Sequence, residues 1–175
     1  MKGVAFLAAI FTVFGRGADV PRPAPEFAVR MMDGTDMPLS ERRGKVVFLM
    51  FILTTCPHCQ KLVGVMSKLQ PELGARGLVT IAAATQDMPA LFVPDFIRDF
   101  KPAFPVGFVD RNLAMQFMQH DPKYIFYNPA VVLIDRNGVI RGQFPGGDEI
   151  FNGDQEANLR AKIEPLLKEG AGPKK

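Results

Sequence analysis

Apolar residues dominate two runs along the chain, with a helix-spaced series between them. The runs at 46–53 and 78–84 have strand length and contain no charged residue, which is typical of strands buried on both faces of a parallel sheet. Between the runs, apolar residues recur at the spacing i, i+4, i+7 and i+11, at Leu62, Met66, Leu69 and Leu73. This spacing predicts a helix with one apolar face. Pro71 lies within the series and is expected to bend or end that helix.

The rest of the chain continues the alternation of predicted strands and helices. Further strands are predicted at 27–32, 105–109, 130–135 and 139–144, and further helices at 89–100, 111–119 and 154–168. Asp33-Gly34 and Asn137-Gly138 are turn signals, and Ser40 is expected to cap a short helical turn. From residue 46 onward, the order β-α-β-α-β-α-β-β-α predicts an α/β fold that closes with a hairpin and a helix.

The segments before the first predicted strand point to export. Residues 4–14 are almost entirely apolar, follow a positive charge and precede small residues, a pattern typical of a signal peptide. An uncleaved anchor or a short buried strand or helix are the alternatives. Residues 20–25 carry three prolines and are interpreted as an extended linker. We therefore divide the chain into a signal peptide or anchor at 1–19, one domain at 20–170 and a flexible tail at 171–175.

The composition is that of a globular protein. The chain has 175 residues, of which 47% are hydrophobic and 22% charged, and these values exclude a disordered chain. The formal net charge is +3, and Lys174 and Lys175 supply two of the positive charges. Since the sequence has no basic block with interleaved aromatic residues, we expect no nucleic-acid partner.

The two cysteines of the chain are three residues apart, in the motif Cys56-Pro57-His58-Cys59. A structural disulfide framework would use more cysteines, spread along the chain. A disulfide across so short a loop removes little entropy from the unfolded chain, so stability is a poor explanation for the pair. We therefore look for a chemical role.

The position of the motif between a predicted strand and a predicted helix favours a reactive thiol. The thiolate is the nucleophile in disulfide exchange, and the unpaired N–H groups at a helix N-terminus favour a thiolate at Cys56. Pro57 fits the first helical turn, where its missing N–H costs nothing. His58 adds positive charge when protonated, although an ordinary exposed role is the alternative. Cys59 follows one turn later and can resolve a mixed disulfide formed by Cys56.

A metal site is an alternative use of the cysteines. A zinc site needs two further ligands, and the remaining soft candidates are His58 and His120. His58 is awkwardly placed between the cysteines, and His120 is expected to be a polar residue at a helix end. A c-type haem site is excluded because Gln60 stands where that motif requires His. We expect no metal ligand and no cofactor.

Four landmarks in this order resemble one family of redox proteins. They are Ala-Pro-Glu-Phe at 24–27, Gly-Lys-Val-Val at 44–47, the Cys56-to-Cys59 motif, and Val-Leu-Ile-Asp-Arg-Asn-Gly at 132–138. Over residues 24–168 the chain resembles the TlpA/ResA-like (redoxin, AhpC/TSA-like) branch of the thioredoxin superfamily. The resemblance implies a thioredoxin-like fold, with a central mixed β-sheet flanked by helices and an N-terminal β extension. It also implies a thiol–disulfide oxidoreductase.

The resemblance further implies site residues, partners and a location. Pro129 corresponds to the cis-proline that faces the cysteine motif, and Asn128 before it would shape substrate choice; an ordinary trans-proline at a strand start is the alternative. The implied partners are protein thiol or disulfide clients and a redox partner such as a membrane reductant. The implied location is the periplasm or another exported site. We expect a monomer, and we expect the apolar segment 124–127 to pack in the core rather than line a client groove.

The chain departs from the family pattern around the motif. Ile52 and Thr55 stand where relatives usually carry aromatic residues, and Met50 and Leu62 stand where carboxylates of some relatives would fall. No acid–base group for Cys59 is therefore evident, which argues against an efficient thioredoxin-like reductase. The Pro-His dipeptide resembles that of oxidising periplasmic enzymes and favours a relatively oxidising potential.

Two other functions are compatible with the same fold. Peroxiredoxin-like thiol peroxidases carry the pattern Pro-x-x-x-Thr-x-x-Cys around their nucleophile. In this chain Leu53, rather than Thr, stands three residues before Cys56. A non-catalytic Cu(I)-binding module would use the two soft thiolates, although related carriers space their cysteines further apart. Both stay open as alternatives to disulfide exchange.

Overall fold

The computed structural model describes residues 19–170. The predicted signal peptide or anchor, apart from its last residue, and the predicted tail at 171–175 lie outside the described residues. Between residues 19 and 170, no helix is long and apolar enough to cross a membrane.

An eight-stranded mixed sheet forms the centre of the domain. Its strands are β1 (Arg22–Pro23), β2 (Ala28–Arg30), β3 (Asp36–Pro38), β4 (Val46–Ile52), β5 (Leu78–Ala84), β6 (Val106–Phe108), β7 (Ala130–Ile134) and β8 (Val139–Phe144). They lie in the order β1-β8-β7-β4-β5-β6-β2-β3. The strands β4, β5 and β6 are parallel, whereas β7 runs antiparallel to β4 and to β8. The predicted mixed sheet with an N-terminal β extension is confirmed.

Within residues 19–170, four α-helices cover the sheet. They are α1 (Pro57–Ala75), α2 (Pro89–Phe100), α3 (Arg111–Phe117) and α4 (Gln155–Lys168), and short 3-10 helices lie at Leu39–Arg42 and Glu149–Phe151. The predicted apolar face of α1 is buried over its whole length. Helix α1 continues beyond Pro71, so the expectation that this proline ends the helix is wrong. The buried residues Leu69 and Leu73 on either side hold the helix against the core, and such packing outweighs local propensity.

Strand β4 lies between two hydrophobic cores. Successive side chains of a strand point to opposite faces, and all seven residues of β4 are buried. Phe48, Met50 and Ile52 pack with α1, α2 and α4 on one face. Leu49 and Phe51 pack with α3 and the N-terminal segment on the other. The end of β4 is therefore fixed from both sides.

The proline-rich segment before β2 is partly a strand. Arg22–Pro23, within the predicted linker, form β1 and pair with β8. The Arg22 guanidinium donates hydrogen bonds to the carbonyl oxygen of Phe117 at 2.7 Å and to Oε1 of Gln143 at 3.0 Å. The linker interpretation is wrong for these two residues, because an extended proline-containing segment can pair at a sheet edge.

Two local features around β3 also differ from the prediction. The turn at Asp33-Gly34 joins β2 to β3, a strand that the sequence pattern did not predict. Ser40 was expected to cap a helical turn, but it lies inside the 3-10 helix, whose N-cap is Pro38 without a side-chain bond. The turn begins earlier than predicted because the backbone N–H of Leu39 is already bonded to the carbonyl oxygen of Phe27.

Arg136 ties together several chain segments at the end of the sheet remote from the cysteine motif. Its guanidinium donates to the carbonyl oxygens of Gly44, Arg76, Leu167 and Glu169, at distances between 2.8 and 3.2 Å. Three of these carbonyls, those of Arg76, Leu167 and Glu169, lie at the C-terminal ends of α1 and α4, whose last carbonyl groups have no partner within their own helices. Arg136 therefore joins the helix ends to the segment that enters β4.

Candidate active site

The cysteine motif begins where β4 ends and α1 starts. Cys56 is the N-cap residue of α1, with extended backbone angles, and Pro57 occupies the first turn. A tight turn precedes the helix, in which the N–H of Cys56 donates to the carbonyl oxygen of Leu53 at 3.1 Å. The helix itself begins with the N–H of Gln60 bonded to the carbonyl oxygen of Cys56 at 3.0 Å. This places the Cys56 side chain beside the positive end of the α1 dipole.

Cys56 is partly exposed, and the dipeptide that follows it is exposed. The Sγ atom of Cys56 lies 3.8 Å from the carbonyl oxygen of Asn128, to which its thiol can donate. Pro57 and His58 face solvent. The geometry thus leaves the leading sulfur accessible to a partner disulfide.

Cys59 is fully buried, one helical turn further into the domain. Its sulfur accepts a hydrogen bond from the N–H of Leu53 at 3.5 Å. Burial raises the pKa of the Cys59 thiol well above its ordinary value, and the neighbouring Cys56 side chain raises it further. The Leu53 N–H acts in the opposite direction, because a donor stabilises the thiolate, but it does not outweigh burial. The second thiol therefore stays protonated while it is shielded.

The Asn128 carbonyl oxygen lies beside Cys56, and Pro129 follows Asn128 in the chain. Their peptide bond is cis, and Pro129 is buried directly before β7. Strand β7 pairs with β4, with Ala130 opposite Phe51, so this segment reaches the same sheet end as the motif. Both polar atoms of the Asn128 side chain are buried and lack a hydrogen-bond partner within the described range. A buried amide without partners is energetically unfavourable.

The positions where relatives carry carboxylates are apolar and shielded. Met50 and Leu62 are both fully buried in the core that surrounds Cys59. Ile52 is buried at the end of β4, whereas Thr55 is exposed. The pKa of Cys59 is shifted by burial of the thiol and by its interactions with Leu53 and Cys56, rather than by a carboxylate.

Sequence reasoning missed three residues around the turn that carries Cys56. The side chain of Gln86 forms two hydrogen bonds with Thr54, and the side chain of Gln60 donates to the Thr54 carbonyl oxygen. Gln86 is 32 positions away from Thr54 in the chain. Neither its type nor its spacing carries a local signal, because the contact arises only when β4 and β5 pair.

The segment 124–127 does not pack in the core as a whole. Phe126 is buried and lies 6.3 Å from the Phe51 ring, between ring centroids. Tyr124, Ile125 and Tyr127 are each more than half exposed, so the core interpretation is wrong for three of the four residues. The segment has no regular secondary structure, and one inward ring is sufficient to anchor it. Tyr127 directly precedes Asn128 beside the candidate site.

The part of the chain between residues 19 and 170 contains no group of three or more His, Cys, Asp or Glu side chains placed to hold a metal ion. His120, considered as a ligand from the sequence, instead contacts the carbonyl oxygen of Tyr124 through Nε2 at 3.1 Å. It also packs edge-on against the Phe126 ring. His120 thus helps to hold the segment that leads to Asn128.

Comparison with known proteins identifies relatives of this chain. The AhpC/TSA family model matches residues 20–143. The chain is 33% identical over 121 residues to the thiol-disulfide oxidoreductase ResA of Bacillus cereus, covering 69% of this chain and 66% of the relative. It is also 33% identical over 128 residues to ResA of Bacillus thuringiensis subsp. konkukian, covering 73% and 70%. The chain therefore spans about two thirds of the length of these curated relatives.

Among solved structures, the fold is similar to that of a thiol:disulfide interchange protein of the thioredoxin family from Chlorobium tepidum. The TM-score is 0.69 at 23% identity, and the match covers 86% of this chain and 99% of that chain. This likeness confirms the predicted thioredoxin-like fold.

Proposed function

The chain belongs to the AhpC/TSA family and is a thiol–disulfide oxidoreductase, and we propose that Cys56 and Cys59 are the pair that exchanges a disulfide with protein cysteines. The observation that carries this proposal is the unequal placement of the two sulfurs. Cys56 is partly exposed at the start of α1, and Cys59 is buried one turn behind it. In such a pair, one sulfur forms the mixed disulfide with the client and the other releases the client from it.

In the reducing direction, the Cys56 thiolate attacks one sulfur of a client disulfide. A mixed disulfide forms between Cys56 and that sulfur, and the other client sulfur leaves as a thiolate. Cys59 then attacks Cys56, the mixed disulfide breaks, and the second client sulfur leaves. Two electrons pass from the cysteine pair to the client, and the enzyme is left with a Cys56–Cys59 disulfide. The oxidising direction runs through the same steps in reverse.

The resolving step requires that Cys59 lose its proton. The raised pKa of Cys59 makes loss of this proton unfavourable in the resting enzyme. Positions 50 and 62 beside Cys59 carry Met and Leu, neither of which can accept the proton. The client thiolate released in the first step is a base, and it forms just before Cys59 must lose its proton. We assign it the role of proton acceptor, which couples resolution to the arrival of a client.

Asn128 and Pro129 form the proposed client-binding segment. The Asn128 carbonyl oxygen lies against Cys56, and its side-chain amide has a buried donor and acceptor with no partner among the described residues. A client backbone beside the leading sulfur would satisfy these groups. The exposed rings of Tyr124 and Tyr127 offer apolar contact to residues near the client cysteine.

The proposed setting is an exported one. The apolar segment at 4–14 supports a periplasmic or membrane-anchored enzyme. We further propose that it works as a monomer with a membrane reductant or a similar redox partner. The Pro57-His58 dipeptide and the apolar residues at positions 50 and 62 favour a relatively oxidising potential. Measuring the reduction potential of the pair decides the direction of electron flow.

Insulin reduction with dithiothreitol tests the proposal. Wild type is expected to accelerate the reaction, and Cys56→Ser to abolish the acceleration. Cys59→Ser is expected to accumulate mixed disulfides with the client, because the resolving thiol is missing. The double serine variant is the background control. Equal trapping by Cys56→Ser would overturn the assignment of roles, and turnover of hydrogen peroxide at a higher rate than disulfides would favour a peroxidase.

A further inference from the structure

The loop between β5 and α2 contacts the turn that carries Cys56. Its first residue, Thr85, donates through its backbone N–H to the carbonyl oxygen of Ile52 at 3.0 Å. The next residue, Gln86, extends its side chain to Thr54. We propose that Gln86 is a positioning residue that sets the reactivity of the Cys56–Cys59 pair. This inference rests on the proposed function of that pair.

The contact between Gln86 and Thr54 consists of two complementary hydrogen bonds. Nε2 of Gln86 donates to Oγ1 of Thr54 at 2.6 Å, and the N–H of Thr54 donates to Oε1 of Gln86 at 3.2 Å. A third bond runs from Nε2 of Gln60 to the Thr54 carbonyl oxygen at 2.9 Å. Thr54 is only 5% exposed, and all three of its polar groups are bonded in this way. Thr54 is therefore held at a single position.

The position of Thr54 affects both sulfurs through Leu53. The carbonyl oxygen of Leu53 accepts the N–H of Cys56, and the N–H of Leu53 donates to the sulfur of Cys59. The carbonyl oxygen of Leu53 and the N–H of Thr54 belong to one peptide group, so a rotation of that group changes the contact with Cys56 directly. The N–H of Leu53 belongs to the preceding peptide group, so its contact with Cys59 changes when the Leu53 backbone adjusts to that rotation. Gln86 thus acts on the sulfurs without touching either of them.

The hydrogen bonds of Gln86 are expected to contribute little to the stability of the fold. Gln86 is partly exposed, so water can replace its partners when the side chain is removed. The sheet is already joined at this point by the Thr85 backbone bond and by the parallel pairing of β4 with β5. Loss of the glutamine is expected to leave the fold intact and to loosen the turn.

The variant Gln86→Met tests the inference, because it keeps the length of the side chain and removes both hydrogen bonds. In the full chain, kcat/KM for insulin reduction is expected to fall between about 2-fold and about 10-fold, the range of one net hydrogen bond, because water replaces part of what is lost. The loss should lie in kcat rather than KM, and the reduction potential of the pair should shift. Gln116→Met, at an exposed position of α3, is the matched control and should change neither quantity.

Thr54→Val supplies the second arm. It keeps the side-chain shape and removes one of the two bonds, the one donated by the Gln86 amide, so it should reproduce part of the effect of Gln86→Met on kcat and on the potential. The double variant should be no slower than Gln86→Met alone, since Gln86→Met already removes the bond that Thr54→Val removes. Wild-type kcat and potential in Gln86→Met, or full additivity in the double variant, overturn the inference. A wild-type chain whose activity does not depend on Cys56 would instead refute the proposed function.

Discussion

The backbone of Leu53 is bonded to both cysteines, and its N–H donates to the buried sulfur of Cys59 at 3.5 Å. Its carbonyl oxygen accepts the N–H of Cys56 on the other side of the same turn. One residue therefore relates an accessible sulfur to a shielded one. The different environments of the two thiols lead to the first two predictions.

Alkylation of the reduced protein should distinguish the two thiols. Iodoacetamide is expected to modify Cys56 and to leave Cys59 unmodified in the folded chain, because Cys59 is fully buried and its pKa is raised. Intact mass and peptide mapping give the number and position of the adducts. In denaturant both cysteines should react, which is the control. Rapid modification of Cys59 under native conditions would contradict the described burial.

Stability of the reduced protein should depend on the ionisation of Cys59. In the unfolded chain this thiol ionises with a pKa of about 8.5, whereas in the folded chain it stays protonated to much higher pH. Above the unfolded value the folded state binds more protons, so the free energy of unfolding falls as pH rises. The stabilisation that the protonated Cys59 thiol provides is fully present below about pH 8. Above about pH 9 it declines by about 1.4 kcal/mol per pH unit.

Urea unfolding under reducing conditions measures this slope. Cys59→Ala is the matched control, because it removes the buried thiol and retains every other titrating group. The alkaline decline should be shallower in the variant by the amount that Cys59 contributes. Identical slopes for the two proteins would show that Cys59 ionises in the folded state as readily as in the unfolded state.

Replacement of Arg136 should weaken the fold without changing the redox pair. Arg136→Met removes the donors to four carbonyl oxygens and is expected to cost about 2 to 4 kcal/mol of unfolding free energy. The reduction potential should not change, because these contacts lie at the end of the sheet remote from Cys56. Arg160→Met is the control, since Arg160 bonds to the exposed carboxylates of Glu72 and Glu156 and its loss should matter less. Equal losses in the two variants would contradict this ranking.

Removal of an exposed ring beside the site should weaken binding of protein clients. Tyr127 is 58% exposed and directly precedes Asn128. Tyr127→Ser is expected to raise KM for insulin about 5-fold, because aromatic side chains contribute strongly at protein contacts. The rate with a small aromatic disulfide serves as the internal control and should be unchanged. A proportional loss with both substrates would place Tyr127 in the chemistry rather than in client binding.

The elements that carry the cysteine motif could be predicted because their signals are local. The unbroken apolar run of β4, the spacing of the apolar residues on α1 and the intervening motif each lie within a short window of sequence. The cis bond before Pro129 followed from the resemblance rather than from any local signal. Together these features gave the fold and the candidate site residues.

The remaining features depend on partners that are distant in sequence. The strands β1 and β3 are too short to show alternation, and each forms only because another strand lies beside it. The bonds between Gln86 and Thr54 require β4 and β5 to pair first. The exposure of Tyr124 and Tyr127 could not be predicted from composition, because a single buried residue, Phe126, anchors an otherwise apolar segment.

The outermost strands of the sheet are short and contain proline. Strand β1 has two residues and includes Pro23, and β3 has three and includes Pro38. A long edge with unpaired N–H groups is a template on which other chains add and polymerise, and proline removes one of those donors. These two edge strands therefore offer few unpaired backbone groups to which another chain could add. Both margins of the sheet are therefore protected against polymerisation by strand addition.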